Sequence, residues 1–421
     1  MFEKLVGWQM SEFANSASLL HDNISTFRKG HSTTTALLGI RDDIKRAMKR
    51  KEVTLMVLAD FSKAFDTVCF KTTLKKFYKL GFSKNYLKWL LSYLSGWTQF
   101  VQIDDTKSHL KFSQFGIPQG SILGPMIFNL YVSDLRDSLD LSTSCSQYAD
   151  DTSICTHCAV REVESTTCDL NKLLTKLGSW SKDSNLALNP NKTKFMVLST
   201  QQMSSHHKLA DCARNLTVGD NSLKRVESTK FLEVNIHSNL KWDDRIKHLA
   251  ASCYGTLATL KKVKNFTNYK LRKHLAELLV LLRLDFSDLL YFTRSVKICL
   301  KSFSIFSFPL PALSQVTMNT LLKLSWLPMS ERRDWHLLKA AHKALYDEHW
   351  PRNLRRETVQ HGRCLRSSET INLNIPLESG TFQDCAAKRF NSLPAAVKSC
   401  PDFNAAPKET HKIFKSCSRC F

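Results

Sequence analysis

Apolar positions recur at helical spacing near the start of the chain, at Phe2, Leu5 and Val6 and again at Ala36, Leu37, Ile40 and Ile44. They predict helices within the first 50 residues on either side of a basic loop, Phe27-Arg28-Lys29-Gly30-His31. From Val53 to Ala59 the helical period gives way to a seven-residue, nearly unbroken apolar run without caps, which predicts a central strand covered on both faces. Asp60 stands at its end. A helical stretch from Lys71 to Leu94 leads to a strand around Phe100 to Ile103, then to the turn Gly116-Ile117-Pro118-Gln119-Gly120-Ser121. Ser121 can cap a helix that tolerates Pro125 in its first turns and places Ile122, Met126, Ile127 and Leu130 on one face. Two short strands flank Ala149-Asp150-Asp151-Thr152 and put the paired carboxylates at a hairpin tip. Leu170, Leu173, Leu174, Leu177 and Trp180 mark an amphipathic helix, and Asn189-Pro190 turns into a strand at Phe195 to Leu198.

Strands and helices alternate without βαβ regularity, which predicts an α+β architecture: an antiparallel sheet with helices packed on one face. Beyond about residue 242 the pattern is mostly helical and loop-rich. A chain of 421 residues exceeds one ordinary core, so two or three domains are expected.

Charge narrows the partners. Sixty Lys and Arg against 38 Asp and Glu leave a net charge of +22, which favours a polyanion such as nucleic acid. Thirteen irregularly spaced Cys and no secretory signal at Met1 fit free thiols in a reducing compartment, cytoplasmic or nuclear. Cys155 with Cys158 and Cys417 with Cys420 have C-x-x-C spacing, but neither has the spaced second pair of a structural zinc site. The stretch from Ser302 to Leu322 is long and nearly uncharged, yet Pro309, Pro311 and its Ser and Thr content argue against a membrane span.

Asp60 at one strand end and Asp150 with Asp151 at a hairpin tip can meet in one cleft of an antiparallel sheet. Clustered carboxylates repel one another unless a cation joins them. Nucleotidyl transfer uses two divalent cations about 4 Å apart, and such hard cations take oxygen ligands. Each motif alone has a plainer reading, Asp60 as a helix cap and Asp150-Asp151 as a polar turn. Their order, with the Gly-Ile-Pro-Gln-Gly turn between them, favours the chemical one.

Asp60-Phe61-Ser62-Lys63-Ala64-Phe65-Asp66, Gly116 to Gly124 and Tyr148-Ala149-Asp150-Asp151 resemble the palm motifs of reverse transcriptases from non-LTR (LINE-type) retrotransposons. Phe27 to Ser32 resembles that family's fingers motif, and Leu188 to Lys194 the motif after the catalytic hairpin. The resemblance covers residues 1 to 295 and resumes more weakly from Leu321, through Leu324 to Pro328, Leu365 to Ser368 and Phe390 to Pro394. It implies a right-hand polymerase palm with partial fingers at 1–50, palm and remaining fingers at 51–242, a helical thumb at 243–297 and a mostly helical C-terminal region at 298–421. It further implies an RNA-directed DNA polymerase acting on an RNA template, a DNA primer and dNTPs, with two Mg2+ ions, or Mn2+, held by Asp60, Asp150, Asp151 and the Phe61 carbonyl. Phe65 would sit beneath the sugar and clash with a ribose 2′ hydroxyl. Gln119 would support the incoming nucleotide, with Gly120 allowing close backbone approach. Arg28 would neutralise triphosphate charge, and Lys192 would donate toward pyrophosphate. Asp66 would be structural, and Lys29, Lys63, Arg225, Lys241 and Arg245 would meet phosphates.

The sequence also departs from the family pattern. The chain begins after the place where relatives carry a further fingers segment and an endonuclease. In Phe231 to His237, which matches the primer-grip region, Glu233 replaces a typical Gly and His237 a typical Asp. From Ile298 to Thr320, Ser- and Phe-rich text stands where a basic amphipathic helix is expected, which predicts a reading-frame disruption between about Val296 and Leu321. These departures support an alternative, a degenerate element fragment that binds nucleic acid without catalysis. A third reading, an RNA-dependent RNA polymerase, is opposed by Phe65.

Overall fold

The computed structural model describes residues 1–139, 144–209, 216–291, 326–327, 329–355, 371–394 and 398. The stretch expected to be frame-disrupted, Cys417 with Cys420, and Leu365 to Ser368 lie outside the described residues. Contacts group the chain into two compact units, Met1–Ala36 with Ala47–Ser228, and Leu37–Arg46 with Thr229–Phe421. Among the described residues no helix is long and apolar enough to cross a membrane.

The first unit opens with α1 (Phe2–Ser16), followed by α2 (Thr33–Lys49), whose middle turns are grouped with the second unit. The helix expected at Phe2, Leu5 and Val6 forms, but its buried stripe is Val6, Met10 and Ala14 while Phe2 and Leu5 stay exposed. Next come β1 (Glu52–Ala59) and the short β2 (Phe61–Ser62). All residues of β1 from Val53 onward are buried, as the unbroken apolar run predicts. Each large apolar side chain enclosed this way contributes about 1.5–3 kcal/mol.

The helical stretch from Lys71 to Leu94 is two helices, α3 (Phe70–Lys79) and α4 (Lys84–Leu94). Gly81, at φ +91°, makes the turn between them, and the Ser83 side chain accepts the Tyr86 N–H to cap α4. The strand expected at Phe100 to Ile103 is divided among exposed two-residue strands, β3 (Thr98–Gln99) paired with β6 (Lys111–Phe112), and β4 (Gln102–Ile103) paired with β5 (Thr106–Lys107). In α5 (Gly124–Tyr131) Pro125 sits in the first turn as expected, whereas the N-cap position falls to Leu123 and Ser121, expected to cap, instead accepts the Gly124 N–H on its Oγ at 3.0 Å. The helix begins later than expected, and Ile122 is left exposed.

A one-turn α6 (Leu135–Ser138) precedes β7 (Ser144–Tyr148) and β8 (Asp151–Ala159), then α7 (Val163–Asp183), β9 (Ala187–Leu188), β10 (Lys194–Leu198), α8 (Gln201–His206) and the short pair β11 (Thr217–Val218) and β12 (Asn221–Ser222). Leu170, Leu173, Leu174, Leu177 and Trp180 form the buried face of α7 as predicted. The buried Lys76 ammonium ties three helical segments together. It donates to the Tyr131 carbonyl at 2.8 Å, Asp134 Oδ1 at 2.7 Å and Ser184 Oγ at 2.8 Å. Burial lowers its pKa, and Asp134 opposes that shift.

The main sheet has the order β13-β10-β1-β8-β7, where β13 is Lys224–Arg225. Its pairings are antiparallel except for β10 with β13. The antiparallel α+β expectation therefore holds for the four strands that matter to the acidic residues, and β1 lies at the centre.

In the second unit, β14 (Ser228–Phe231) pairs with β15 (Val234–His237) across Leu232 and Glu233, whose φ values are +46° and +63°. Two consecutive left-handed residues are what a two-residue hairpin asks for and what Gly or Asn supplies at least cost. Here Glu233 takes that position and pairs with Lys230 at 2.6 Å. Described residues beyond 242 are largely helical, beginning with α9 (Asp243–Lys262) and α10 (Tyr269–Ala276). The fully buried Arg41 donates twice to Asp42 Oδ1 and to the Leu289 and Leu290 carbonyls, while Asp42 Oδ2 accepts the Phe382 N–H at 2.7 Å. Both buried charges are thereby satisfied within the protein.

Candidate active site

The ladder of the central strand decides which polar groups meet. β1 runs antiparallel to β8 with Ala59 opposite Thr152 as the last pair, and Asp60 and Asp151 are the next residues of the two segments at that end. On its other side the ladder with β10 ends at Leu58 opposite Lys194, and Lys192 stands in the turn that joins β9 to β10. The turn after β9 is sewn to this strand end: Asn189 N–H donates to the Asp60 carbonyl at 2.8 Å, Thr193 Oγ1 donates to the Asn189 carbonyl at 2.8 Å, and Asp60 N–H donates to Thr193 Oγ1 at 3.3 Å. Asn189 Oδ1 also accepts the N–H groups of Asn191 and Lys192. Asn189 and Thr193 thus fix the backbone from which Lys192 projects.

The Asp60 carboxylate is divided in its surroundings. The side chain is 35% exposed, yet its Oδ2 is enclosed and has no hydrogen-bond partner. The nearest cation, Lys192 Nζ, lies 4.0 Å away, beyond hydrogen-bond range, on a largely exposed side chain. Phe61 follows in β2 opposite Leu188, its ring buried edge-on to Trp180 at 6.1 Å.

Asp150 is exposed at the tip of the β7–β8 hairpin, and Asp151 is the first residue of β8, paired with Tyr148. The two-residue turn bends through Ala149 at φ +56°, whose N–H donates to Thr26 Oγ1. Asn129 in α5 donates to the Thr26 carbonyl at 2.7 Å. Ser25 N–H bonds the Gln147 carbonyl at 2.9 Å and Gln147 N–H bonds the Asn23 carbonyl at 2.8 Å, so residues 23–26 cover the β7 edge. This stitching brings the basic loop of Phe27 to His31 beside the carboxylate turn.

Within that loop Arg28 Nη1 donates to the carbonyls of His21 at 2.8 Å and Ile24 at 3.1 Å, so the guanidinium also organises the backbone around it. Burial, and after it the Arg28 charge, lowers the His31 pKa to about 4. That leaves the ring neutral at neutral pH.

The second turn is built against the first acidic segment. Ile117 N–H bonds the Phe65 carbonyl at 3.0 Å and Gly116 N–H bonds the Val68 carbonyl at 2.8 Å. Gly116, at φ +93°, has no room for a side chain, since a Cβ there would lie 3.0 Å from the Asp66 carbonyl oxygen. Phe65 stacks on Phe128 with ring centroids 4.1 Å apart and an 18° interplanar angle. Gln119 Nε2 donates to Asp66 Oδ1 at 2.8 Å, giving Asp66 a positioning contact. Gly120 has φ +84° and open space beside it, so its backbone conformation, rather than packing, calls for glycine.

Of the other basic residues, Lys29 and Lys63 are exposed. Arg225 donates to the Leu209 carbonyl and lies 3.8 Å from Glu227. In the second unit Arg245 donates to the Glu233 carbonyl at 3.3 Å.

Sequence reasoning passed over Thr26, Asn189 and Thr193 as individual contributors. The Asn189-Pro190 turn signal marked the right place for two of them. Thr26 lies one residue before the basic motif, and its role depends on a contact 123 residues away in sequence.

Among the described residues, the group with ligand atoms all within 4.8 Å of one another is not the Asp60, Asp150 and Asp151 set but Asp285, Asp288 and His336 in the second unit. That group already has protein partners. Arg332 clasps both oxygens of Asp285 with Nε and Nη2, and His336 Nδ1 lies 2.7 Å from Asp288 Oδ2. Burial raises the Asp288 pKa, and the His336 bond opposes the shift.

Residues 2–236 match the family described as reverse transcriptase (RNA-dependent DNA polymerase). The chain is 25% identical over 276 residues to the probable RNA-directed DNA polymerase from transposon BS of Drosophila melanogaster, covering 63% of this chain and 29% of that protein. It is 29% identical over 229 residues to the RNA-directed DNA polymerase from mobile element jockey of the same organism, covering 53% of this chain and 24% of that protein. The chain thus spans less than a third of the length of either relative. A solved structure of telomerase from Candida albicans, in complex with the TWJ fragment of telomeric RNA, is similar with 10% identity and a TM-score of 0.41, over 76% of this chain and 56% of that one.

Proposed function

Since the chain belongs to the reverse transcriptase (RNA-dependent DNA polymerase) family, of the non-LTR retrotransposon type, we propose that it extends a DNA primer with dNTPs on an RNA template at the strand end carrying Asp60, Asp150 and Asp151. In this reading the sheet with its helices is the polymerase palm, the basic loop at Arg28 belongs to partial fingers, and the helices after residue 242 form the thumb.

The observation that supports it best is the enclosed Asp60 Oδ2, which accepts no hydrogen bond and has Lys192 Nζ 4.0 Å away, at the strand end where Ala59 pairs with Thr152. A carboxylate oxygen shut off from water and without a donor is costly unless a cation satisfies it. The donor set is all hard oxygen and fits Mg2+, with Asp60, Asp150, Asp151 and the Phe61 carbonyl as the residues that would hold it. Two bound ions would supply charge neutralisation at the primer hydroxyl and at the phosphates.

The chain's own residues do the positioning. The primer 3′ oxygen forms a bond to the α-phosphorus while the bond to pyrophosphate breaks, and the cationic side chains of Lys192 and Arg28 face the charge that departs. Phe65, braced flat against Phe128, gives a rigid floor under the sugar and excludes a 2′ hydroxyl by bulk. Gln119, held by Asp66, lies under the nucleotide, and the left-handed Gly120 lets the template strand pass close to the backbone.

The test is primer extension on a primed RNA template with the full chain. The Asp150→Ala change lowers extension by roughly 10^3-fold or more while template binding persists. If the unaltered chain binds the primed template with magnesium and dNTPs present and incorporates nothing, the binding-only reading replaces this one.

A further inference from the structure

We propose that the second unit carries a binding site for single-stranded nucleic acid at the turn between α9 and α10, with Phe266 as a base-stacking platform and Lys261, Lys262, Lys264, Lys270 and Lys273 as its phosphate contacts. The proposal concerns binding alone and does not depend on catalysis by the first unit.

Three observations carry it. No acidic residue occurs between Asp244 and Glu277, a stretch that holds Arg245, Lys247 and the cations just named. Unlike a solvated face of mixed charge, it has no acid of its own, and only at its border does Glu277 lie 3.8 Å from Lys273. In the middle of this stretch Phe266 is 87% exposed. The ring does not hang from a loose loop: Phe266 N–H bonds the Val263 carbonyl at 3.1 Å, Thr267 Oγ1 bonds the same carbonyl at 3.1 Å, and Asn268 Oδ1 caps α10 by accepting the Leu271 N–H at 2.9 Å. Third, α10 borders a cavity of about 640 Å³ lined by Asn268, Lys270, Leu271, Lys273, His274 and Glu277, within the range of small-ligand sites.

An isolated exposed Phe is ordinary on a protein surface. An exposed ring on a hydrogen-bonded turn, within an acid-free run of lysines and beside a cavity that Lys270 and Lys273 border together with Glu277, has the two elements that recognise an unpaired strand: a flat apolar face for a base and positive charge for the backbone. A duplex offers the charge but keeps its base faces stacked. The ring therefore points to single strands.

The experiment measures fluorescence anisotropy of the full chain with short labelled oligouridine, oligothymidine and a duplex of equal length, in EDTA and without dNTPs. Phe266→Ala is expected to weaken binding of both single strands about tenfold and leave duplex binding unchanged, while Phe266→Tyr retains affinity. Replacing Lys261, Lys262 and Lys264 by Gln is expected to reduce the slope of log affinity against log salt by about 2. Loss with oligouridine alone or oligothymidine alone would still support the site and identify the strand it takes. Unchanged single-strand affinity in Phe266→Ala, equal losses on single strands and duplex, or an unchanged salt slope in the triple variant overturns the proposal. Melting curves of the variants keep a folding defect from being counted as lost binding.

Discussion

Asp60 with Asp150 and Asp151 in the first unit, and Asp285 with Asp288 and His336 in the second, are two acidic groups whose counter-charges come from different places. The second group is compact and closed by protein side chains, the Arg332 guanidinium across both oxygens of Asp285 and the His336 ring against Asp288. In the first, Asp60 Oδ2 is enclosed without a hydrogen-bond donor, Lys192 Nζ lies 4.0 Å from it, and Asp150 is exposed. Close spacing alone would choose the second group as the cation site. We propose the first instead, because an acid clasped by Arg already has its counter-charge and part of its acceptor capacity taken.

The largest expected effect that could break this contrast is on activity. Asp60→Asn lowers primer extension by about three orders of magnitude, whereas Asp285→Asn leaves the rate per folded molecule within a few-fold. A comparable rate loss in both, measured on folded protein, would mean that the second group takes part in the chemistry. Next in size is stability. Arg332→Met leaves Asp285 partly buried without its partner and costs about 3 kcal/mol in urea unfolding, while Lys192→Met at the first group costs under about 1 kcal/mol. The smallest effect is thermal. Magnesium at ten times its Kd stabilises the unaltered chain by about 1.4 kcal/mol, seen as a rise in Tm. Asp60→Asn removes that rise and Asp288→Asn keeps it; the reverse pattern would exchange the roles of the two groups.

The same contrast explains what could be read from sequence. The central strand, the carboxylate hairpin and α7 were legible because each is a local pattern: an unbroken apolar run ending in Asp60, strands flanking Asp150-Asp151, and a leucine stripe from Leu170 to Trp180. The Asp285 network was not. Its cation comes from Arg332, 47 residues later, and no periodicity reports such a meeting. α1 failed in a narrower way, since Phe2 and Leu5 fit the helical period but Met10 and Ala14 occupy the buried face. Gly81 divided the stretch from Lys71 to Leu94 because a left-handed turn overrides helix-forming neighbours. At the site itself, the residue types followed from the motifs, whereas the Thr26 stitch to Ala149 and the clamp of Asn189 and Thr193 on Asp60 required tertiary contacts.

The position of β1 has a consequence for how the molecule opens. Its neighbours β8 and β10 bond it on both sides, and Val53 to Ala59 are buried along its length. Amide protons of Leu55 to Leu58 should therefore exchange with solvent only in the rarest, most global openings, while the exposed β3–β6 and β4–β5 ribbons exchange early. Asp60 is tethered to the slowest-opening strand of its unit, so local fluctuations can reshape the surrounding loops many times before the anchor of the acidic cluster lets go.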